Sequence, residues 1–558
     1  MPILSWLTRD EDIRRASRVP YRLLEEVPDL SAGDGDSGNM LIQGDNLEAL
    51  KALLPFYAGR VKCIYIDPPF NTGQAFDHYD DNLEHTIWLS LMYARLEILQ
   101  QLLSEQGTIA IHLDDEELAY ATIIMDEIFG RKNRVNLVTF KQGAAVGHKA
   151  INPGLVTNTN FVLIYAKNKS GGWQPNRVFS RRDRDKRYSN FIVNYDEHFS
   201  EWKLVPLSKA FVERLGMTLK EAKKELGDEF EARLDEFVIQ NAHRVVQPVP
   251  PAYDGVGQQT RELIDKSKKD PDRVFLQKRN GYPDIYLKNG KRWLFYSGKL
   301  KEIDGELISG EPLTNLWDDL LSNNLHNEGG VKFPKGKKPE ALIKRIFELF
   351  SNPGDLVMDS FLGSGTTVAV AHKMGRRYIG IEMGEHAVTH CAPRLNKVIE
   401  GEQGGISKAV GWKGGGGFRF YRLGPPVFDE EGHIRQDIRF PVLAAHVWFS
   451  ETDRPWDGTR SSSEAIAQEK HGSPLLGIHN GRAYALLYNG ILGDKRPGGG
   501  NVLTRATLAL IREEIAKLEP DFDGPLTVYG EQSRLTAASL DRERITFKQT
   551  PYDVKARA

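Results

Sequence analysis

The stretch Val61-Lys62-Cys63-Ile64-Tyr65-Ile66-Asp67-Pro68-Pro69-Phe70 decides how this chain folds. Its first six residues are mainly apolar, β-branched or aromatic, and two prolines end the run, which predicts a buried strand. Ligands of open α/β sheets bind beyond the carboxyl ends of the strands, so Asp67 and Phe70 lie at a candidate binding edge. The prolines fix the backbone and offer carbonyl acceptors, which suits a planar, amino-bearing group such as a nucleobase. A rigid turn capped by Asp67 is the alternative interpretation.

Strand-like and helix-like segments alternate on both sides of this stretch. Further strands are predicted at 40–43, 108–113, 160–166, 355–358 and 378–381, and helices at 47–54, 87–103, 119–129, 339–350 and 366–373. Such alternation predicts parallel βαβ units and therefore an α/β fold. The pattern fades between residues 167 and 311, and a glycine run at 414–417 precedes a further α/β-like module.

Composition limits the class of protein. A chain of 558 residues is too long for one ordinary core, and 40% hydrophobic with 27% charged residues is typical of a soluble globular protein. The sequence has no apolar run long enough to cross a membrane and no signal peptide, which predicts a cytoplasmic protein. Two cysteines are too few for a disulfide framework or a zinc site, so no metal is expected. With a net charge of −2, any nucleic-acid surface must be a local patch.

A glycine-rich loop is the second chemical landmark. Residues 359–367 (Asp-Ser-Phe-Leu-Gly-Ser-Gly-Thr-Thr) follow a predicted strand, and their glycines allow the backbone to approach a ligand closely. No lysine follows Gly365, which excludes a P-loop, and Val368 stands where a dinucleotide site has its third glycine. Glu382 ends the next strand and is placed to meet ribose hydroxyls. The loop therefore predicts an adenosine-containing ligand without a pyrophosphate, and S-adenosylmethionine fits that description.

Together, residues 67–73 (Asp-Pro-Pro-Phe-Asn-Thr-Gly) and 361–367 (Phe-Leu-Gly-Ser-Gly-Thr-Thr) resemble the amino-directed DNA methyltransferases. The catalytic tetrapeptide precedes the cofactor loop, which is similar to the permuted order of the β group of that family. Weaker matches lie at 44–46, 108–114, 160–167 and 338–340, and the wider layout resembles the modification subunits of Type III restriction systems. The resemblance implies a Rossmann-like, doubly wound α/β sheet in permuted order.

The resemblance also implies a domain organisation. An inserted target-recognition region divides the methyltransferase domain, and a smaller α/β domain ends the chain. The implied segments are a leader at 1–39, a catalytic half at 40–168, a target-recognition region at 169–311, a cofactor-binding half at 312–412 and a dimerisation or partner-docking domain at 418–558.

The implied activity is methyl transfer from S-adenosylmethionine to the N6 amino group of adenine in DNA. An aromatic amine is a poor nucleophile because its lone pair is delocalised into the ring. Asp67 and the Pro68 carbonyl are expected to accept its two hydrogens, while Pro69 keeps the segment stiff and the flipped base stacks on Phe70. Transfer to N4 of cytosine, an RNA substrate, and a DNA-recognition subunit that mainly guides a nuclease–helicase partner remain alternatives.

The remaining site residues are assigned by position in these motifs. The cofactor-side residues are expected to be Asp45, Lys338, Asp359, Phe361, Gly363, Gly365, Thr366 and Glu382. The family often has a His-Glu-like pair where this chain has Thr159-Asn160, so the second base contact is assigned to Phe161. The expected partners are double-stranded DNA, a second copy of the chain and a nuclease–helicase restriction subunit.

Basic residues mixed with aromatic ones mark the target-recognition region as the DNA reader. Runs at 181–187, 278–279 and 288–293 have this pattern, although charge runs are often only solvated faces. Arg181, Arg182 and Arg187 are predicted to contact phosphates. The mixed charges of 220–234 predict one exposed helix.

Overall fold

A computed structural model gives the structure, and it describes residues 3–35, 37–70, 85–142, 155–320, 325–333, 336–428, 435, 438–456, 473–488 and 501–550. The chain forms two compact units, Met1–Asn176 with Asn315–Ala558, and Arg177–Thr314. The second unit begins eight residues after, and ends three residues after, the limits predicted for the target-recognition region. The division predicted between 412 and 418 separates no compact unit.

An 11-stranded sheet forms the centre of the first unit. The strands are β1 Arg22–Glu26, β2 Met40–Gln43, β3 Val61–Ile66, β4 Leu103–Leu113, β5 Arg134–Lys141, β6 Thr159–Ala166, β7 Leu316–Trp317, β8 Leu356–Asp359, β9 Arg377–Glu382 and β10 Gly417–Pro426. They run in the order β1-β10-β2-β9-β8-β3-β4-β6-β5-β7, with Ala32–Gly33 paired to β10. Strands β10, β2, β9, β8, β3 and β4 are mutually parallel, and β6 pairs antiparallel with β4 and β5.

This order confirms the α/β fold. The late strand β8 lies between β9 and the early strand β3, so the two halves of the sheet meet where β3 and β8 are neighbours. In open α/β sheets such a crossing of strand order leaves a crevice at the carboxyl ends of the strands. The sheet therefore brings the ends of β3 and β8, with both sequence landmarks, to one edge.

Fifteen α-helices are present in the described residues, and those near the 11-stranded sheet complete its core. They are α1 Arg9–Asp12, α2 Arg15–Arg18, α3 Asn46–Tyr57, α4 His85–Leu102, α5 Asp115–Met125, α6 Leu207–Leu215, α7 Leu219–Leu226, α8 Glu229–Gln240, α9 Gln258–Lys269, α10 Glu340–Phe350, α11 Thr366–Lys373, α12 Ala392–Ile399, α13 Phe440–Thr452, α14 Arg505–Leu518 and α15 Ala537–Arg542. Leu50 of α3 and Trp88 of α4 pack in one buried cluster with Ile64, Ile111 and Met358 of the sheet. No helix in the described part of the chain is long and apolar enough to cross a membrane.

Two segments that were predicted to lie outside the methyltransferase domain are part of its sheet. In the predicted leader, β1 pairs antiparallel with β10. In the predicted C-terminal domain, β10 pairs in parallel with β2, and its alternate residues Phe418 and Phe420 are fully buried. Because these side chains complete the core, the sheet continues past both predicted boundaries.

The chain beyond β10 carries a second, smaller sheet. Its four strands are Leu475–His479, Arg482–Leu486, Leu526–Gly530 and Ile545–Gln549. Asn480 and Gly481 join the first two strands with φ values of 49° and 71°, the left-handed pair that a tight hairpin requires. Helix α14 packs on one face through Ile511 and Ile515.

The Arg177–Thr314 unit contains a six-stranded sheet, ordered Leu204–Pro206, Asn190–Ile192, Val245–Val249, Lys291–Phe295, Ile285–Lys288 and Phe275–Gln277. All its pairings are antiparallel. The single helix predicted at 220–234 is two helices, α7 and α8. Gly227, with a φ of 50°, ends α7 because this left-handed conformation does not continue a helix.

Candidate active site

A cavity of about 500 Å³ lies at the carboxyl ends of β3 and β8. Asp67 and Phe70 line it from one side, and Asp359, Phe361 and Gly363 line it from the other. Its volume is within the range of small-molecule sites. The fold thus brings together two segments that are almost 300 residues apart in the sequence.

The Asp67–Phe70 tip is held in place from below. Strand β3 is almost wholly buried, and the Pro69 carbonyl accepts a hydrogen bond of 2.8 Å from the indole nitrogen of Trp88. Trp88 is itself fully buried in α4. Because proline has a fixed φ and its carbonyl is bonded here, the Asp67 side chain projects from a rigid support. Residues 71–73, which carry the end of the sequence motif, lie outside the described residues.

Lys338 joins the two sides of the cavity. Its Nζ lies 3.0 Å from Oδ2 of Asp67 and 4.4 Å from the centre of the Phe70 ring. The Lys338 and Asp67 side chains are 11% and 18% exposed, so water screens their attraction only in part. Lys338 was predicted on the cofactor side; it lines the cavity, and the structure pairs it with the tetrapeptide.

A buried histidine supports Phe70, and sequence reasoning missed it. His112 of β4 is fully buried, with its ring centre 5.6 Å from that of Phe70. Its Nδ1 lies 2.9 Å from the Tyr65 hydroxyl and its Nε2 lies 3.2 Å from the Asn160 side-chain amide. Burial, and then the charge of Lys338, holds the pKa of His112 well below its usual value, so the ring is neutral. The available signal was one histidine within an otherwise apolar strand.

The last residue of β8, Asp359, holds the glycine-rich loop through hydrogen bonds. Asp359 accepts hydrogen bonds from the Phe361 N–H at 2.9 Å and from the Thr367 hydroxyl at 2.6 Å. Gly363 and Gly365 have φ values of 57° and 78°. A side chain at Gly365 would also place its Cβ 3.2 Å from the Cys391 Cα, so glycine is required there for conformation and space.

Asp359 is a cavity carboxyl group with a strongly perturbed pKa. Burial raises its pKa to about 7, and the charges of Asp67 and Glu382 act in the same direction. The two hydrogen bonds to its oxygens oppose this shift. A group of this kind changes its protonation state near neutral pH, which is typical of functional sites.

Glu382 also holds the glycine-rich loop, through a hydrogen bond from the loop backbone. Its Oε2 accepts a hydrogen bond of 2.6 Å from the Gly363 N–H, and its Oε1 accepts one of 3.1 Å from the Gly384 N–H. His386 Nε2 lies 3.0 Å from the same Oε1. Glu382 was predicted to bind ribose, but it does not line the cavity. In this structure its bonded carboxylate fixes the loop.

Asp45, which was predicted on the cofactor side, lies at the start of α3. Its Oδ1 accepts hydrogen bonds from the N–H groups of Leu47 and Glu48, and its Oδ2 lies 3.0 Å from Arg95. These are the contacts of a helix N-cap. Asp45 does not line the cavity, because the first turn of α3 and Arg95 direct its carboxylate elsewhere.

A buried ionic cluster supports the loop at Thr366. Arg394 donates to Thr366 Oγ1 at 2.8 Å and to Glu340 Oε1 at 2.7 Å. Lys373 donates to the other oxygen of Glu340 at 2.9 Å, and the side chains of Glu340, Lys373 and Arg394 are fully buried. Helix α10 is thereby tied to the loop and to α11.

Several cavity residues were absent from the sequence prediction. Three consecutive acidic residues at the start of α5, together with Asn160 and Phe333, line the cavity; the acidic residues are Asp114, Asp115 and Glu116. Phe161 does not line it, whereas Thr159 and Asn160, the two residues before it on β6, do.

The arginines predicted to contact DNA lie in the Arg177–Thr314 unit and are paired with carboxylates. Arg181 lies 3.1 Å from Glu306, Arg182 lies 2.8 Å from Glu311, and Arg187 lies 2.7 Å from Asp185. All three carboxylate partners belong to the same unit as the arginines.

The chain is similar to known DNA-modifying proteins. A family model described as DNA methylase matches residues 61–392. A probable type III restriction-modification enzyme HindVI Mod subunit of Haemophilus influenzae is 35% identical over 430 residues, which are 69% of this chain and 54% of that protein. The StyLTI Mod subunit of Salmonella typhimurium is 27% identical, over 61% of this chain and 51% of that protein. The chain thus spans about half the length of these relatives.

Solved structures are also similar to the chain. The M1.HpyAVI–SAM complex is 14% identical with a TM-score of 0.29, covering 64% of this chain and 99% of that one. PvuII DNA methyltransferase (cytosine-N4-specific) is 13% identical with a TM-score of 0.32, covering 67% of this chain and 94% of that one.

Proposed function

The chain belongs to the DNA methylase family, and from this premise we propose that it transfers a methyl group from S-adenosylmethionine to the N6 amino group of adenine in DNA. We further propose that it is the modification component of a restriction-modification system, as its relatives are named. The observation that carries the activity is the cavity shared by the Asp67–Phe70 tip and the glycine-rich loop.

The tip has the groups that an exocyclic amine needs. The Asp67 carboxylate is an acceptor on a rigid support, and the Phe70 ring beside it offers a stacking face. An amine that donates to Asp67 and to the neighbouring Pro68 carbonyl turns its lone pair away from both acceptors. Positioning and fixed charge then lower the barrier for direct transfer, and no enzyme nucleophile is required.

The opposite side of the cavity fits S-adenosylmethionine. Phe361 and Leu362 offer apolar surface, and Ser364, Thr366 and Asp359 offer polar groups. The bound sulfonium supplies the methyl group. The Asp67 carboxylate would offer negative charge to this cation, and Glu382 keeps the loop backbone in the conformation that lines the cavity.

A base in a duplex cannot reach this enclosed position. We infer that the target adenine is rotated out of the helix and stacks on Phe70, a contact worth about 1–3 kcal/mol. Duplex DNA is therefore the proposed substrate, and a second copy of the chain and a nuclease–helicase subunit are proposed partners.

The test is methylation with defined product analysis. The purified chain is incubated with methyl-labelled S-adenosylmethionine and DNA that lacks adenine methylation, and the DNA is then digested to nucleosides. Label in N6-methyladenine is expected. Asp67→Asn should lower the rate by about a hundredfold or more while it retains cofactor binding, since it removes a charge at the transferring amine.

Two results would contradict this function. Label found only in cytosine would assign a different base, and absence of label from DNA with intact cofactor binding would remove the proposed substrate. An Asp67→Asn protein with wild-type turnover would show that the tetrapeptide does not carry the reaction.

A further inference from the structure

Two groups of basic residues in the Arg177–Thr314 unit have different electrostatic surroundings. In the first group, at 181–187, every arginine is paired with a carboxylate: Arg184 with Glu231 and Asp235, and Arg181, Arg182 and Arg187 as described above. Lys186 also lies 3.8 Å from Glu231. These cations are largely neutralised within the protein itself.

The second group surrounds a hairpin tip. Lys288 and Lys291 are direct partners across the strands Ile285–Lys288 and Lys291–Phe295, so their side chains share one face. Asn289 and Gly290 form the turn between them, with φ values of 47° and 71°. The hairpin therefore presents two lysines side by side at its end.

Helix α9 adds further lysines to the same place. The Gly290 N–H donates a hydrogen bond of 2.9 Å to the Ser267 hydroxyl, which anchors the turn to the last turn of α9. Lys268 and Lys269 follow Ser267 in that turn. We call Lys268, Lys269, Lys288 and Lys291 the lysine tip.

The lysine tip is exposed and mostly without internal countercharge. Lys269 and Lys291 are exposed, Lys288 is half-buried, and the Lys268 side chain is 57% exposed. Within the Arg177–Thr314 unit, all of which is described, the ion pairs include one member of the tip: Lys268 lies 3.8 Å from Asp265. Two lysines beside a turn and two at the adjoining helix end, with one ion-paired carboxylate among them, have the charge that a polyanion binds.

The face beneath the lysine tip is rigid. Tyr286 lies two residues before Lys288 on the same face, and Trp293 is its partner across the strands. Trp202 stacks on Tyr286 with ring centres 5.2 Å apart. This aromatic packing supports the two strands from which Lys288 and Lys291 project.

We propose that the lysine tip is the phosphate-contacting surface of the Arg177–Thr314 unit and that its partner is the backbone of duplex DNA. This inference rests on the proposed function, which makes DNA the substrate. The lysine tip, and not the ion-paired arginines at 181–187, therefore makes the proposed phosphate contacts. Phosphate contacts of this kind set position and affinity and carry no sequence information themselves.

The test compares two triple variants that lose the same charge. Lys268→Gln/Lys288→Gln/Lys291→Gln removes three cations of the tip, and Arg181→Gln/Arg182→Gln/Arg187→Gln removes three paired cations from the same unit. Binding to a fluorescent DNA duplex is measured between about 50 and 200 mM salt. The first variant should bind about tenfold or more weakly, with a salt slope reduced by roughly two to three, because each lost contact removes about 0.9 from the slope.

The control variant should bind DNA within about twofold of wild type, since its cations are already neutralised. Equal losses in both variants would reduce the effect to overall charge and overturn the proposal, as would wild-type binding by the tip variant or preference for an RNA duplex. Thermal melting checks that both variants fold.

Methylation separates this inference from the proposed function. A wild-type chain that binds DNA through the tip but methylates no DNA would contradict the function and leave the surface in place. A tip variant that binds and methylates DNA like wild type would contradict the surface and leave the function in place.

Discussion

Lys338 Nζ lies 3.0 Å from Asp67 Oδ2, which links the segment before α10 to the tip of β3. The same ammonium lies 4.4 Å from the centre of the Phe70 ring. In the proposed function, the target amine donates to the Asp67 carboxylate and the target base stacks on the Phe70 ring. Lys338 therefore holds the carboxylate and the ring in one arrangement.

Replacing Lys338 tests whether this pair orients Asp67. Lys338→Met should lower kcat about tenfold or more, because a charge-assisted hydrogen bond that fixes the acceptor is lost. Lys338→Arg should recover part of the rate. Single-turnover methylation measures the effect, and Lys344→Met, which removes a cation paired with Glu348 on α10, is the control that should keep wild-type turnover. Unchanged or faster turnover in Lys338→Met would show that the pair does not assist the reaction.

His112 is predicted to position Phe70 through packing. His112→Ala should lower the free energy of unfolding by about 2–4 kcal/mol, since it leaves a cavity and removes the partners of Tyr65 and Asn160. It should also weaken base stacking on Phe70, seen as a higher KM for DNA. His372 is a matched control, because it is buried and bonded to the Tyr378 hydroxyl outside the tetrapeptide.

His372→Ala should lose comparable stability and keep the wild-type KM. Urea denaturation gives the stability of both variants, and steady-state methylation gives KM. If the two variants show the same kinetic change, the effect of His112 is one of stability alone.

Asp359 should make stability fall as pH rises. Its pKa is raised to about 7 in the folded chain, against a usual value of 3.8. Between these values the folded state holds a proton that the unfolded state has lost, so the free energy of unfolding decreases with increasing pH and levels off above about 7. Asp359→Asn cannot titrate, and its stability relative to wild type should increase from about pH 4 to pH 7. A constant difference between the two proteins across this range would contradict the assignment.

The parallel sheet could be predicted because its signals are local. Strand β3 and helix α11 have the predicted limits, because the periodicity of strands and helices depends on residues that are close in sequence. The pairing of β1 with β10 could not be predicted, because it joins residues about 400 positions apart through backbone groups. The antiparallel sheet of Arg177–Thr314 was missed because its strands are three to five residues long and carry weak alternation.

Site residues could be predicted where a single sequence segment carries the reactive groups. They could not be predicted where a residue's role depends on contacts with distant parts of the chain. Asp67 and the loop at 359–367 share the cavity as expected. The cap contacts of Asp45 could not be predicted, because an aspartate before a helix can serve as a cap or a ligand, and its partners are Arg95 and the first turn of α3. His112 escaped notice because its partners come from two other strands, β3 and β6.

The ionic cluster behind the loop provides the last prediction. Glu340, Lys373 and Arg394 are fully buried, and Arg394 reaches Thr366 in the loop. Glu340→Gln should lower the free energy of unfolding by about 3–5 kcal/mol, because it leaves buried cations without their shared carboxylate. The control on the same helix is Glu348→Gln, which should cost about 1 kcal/mol or less because Glu348 is partly exposed. Denaturant unfolding measures both. Similar losses would mean that Glu340 does not hold a buried network together, and the loop would then depend on Glu382 and Asp359 for its conformation.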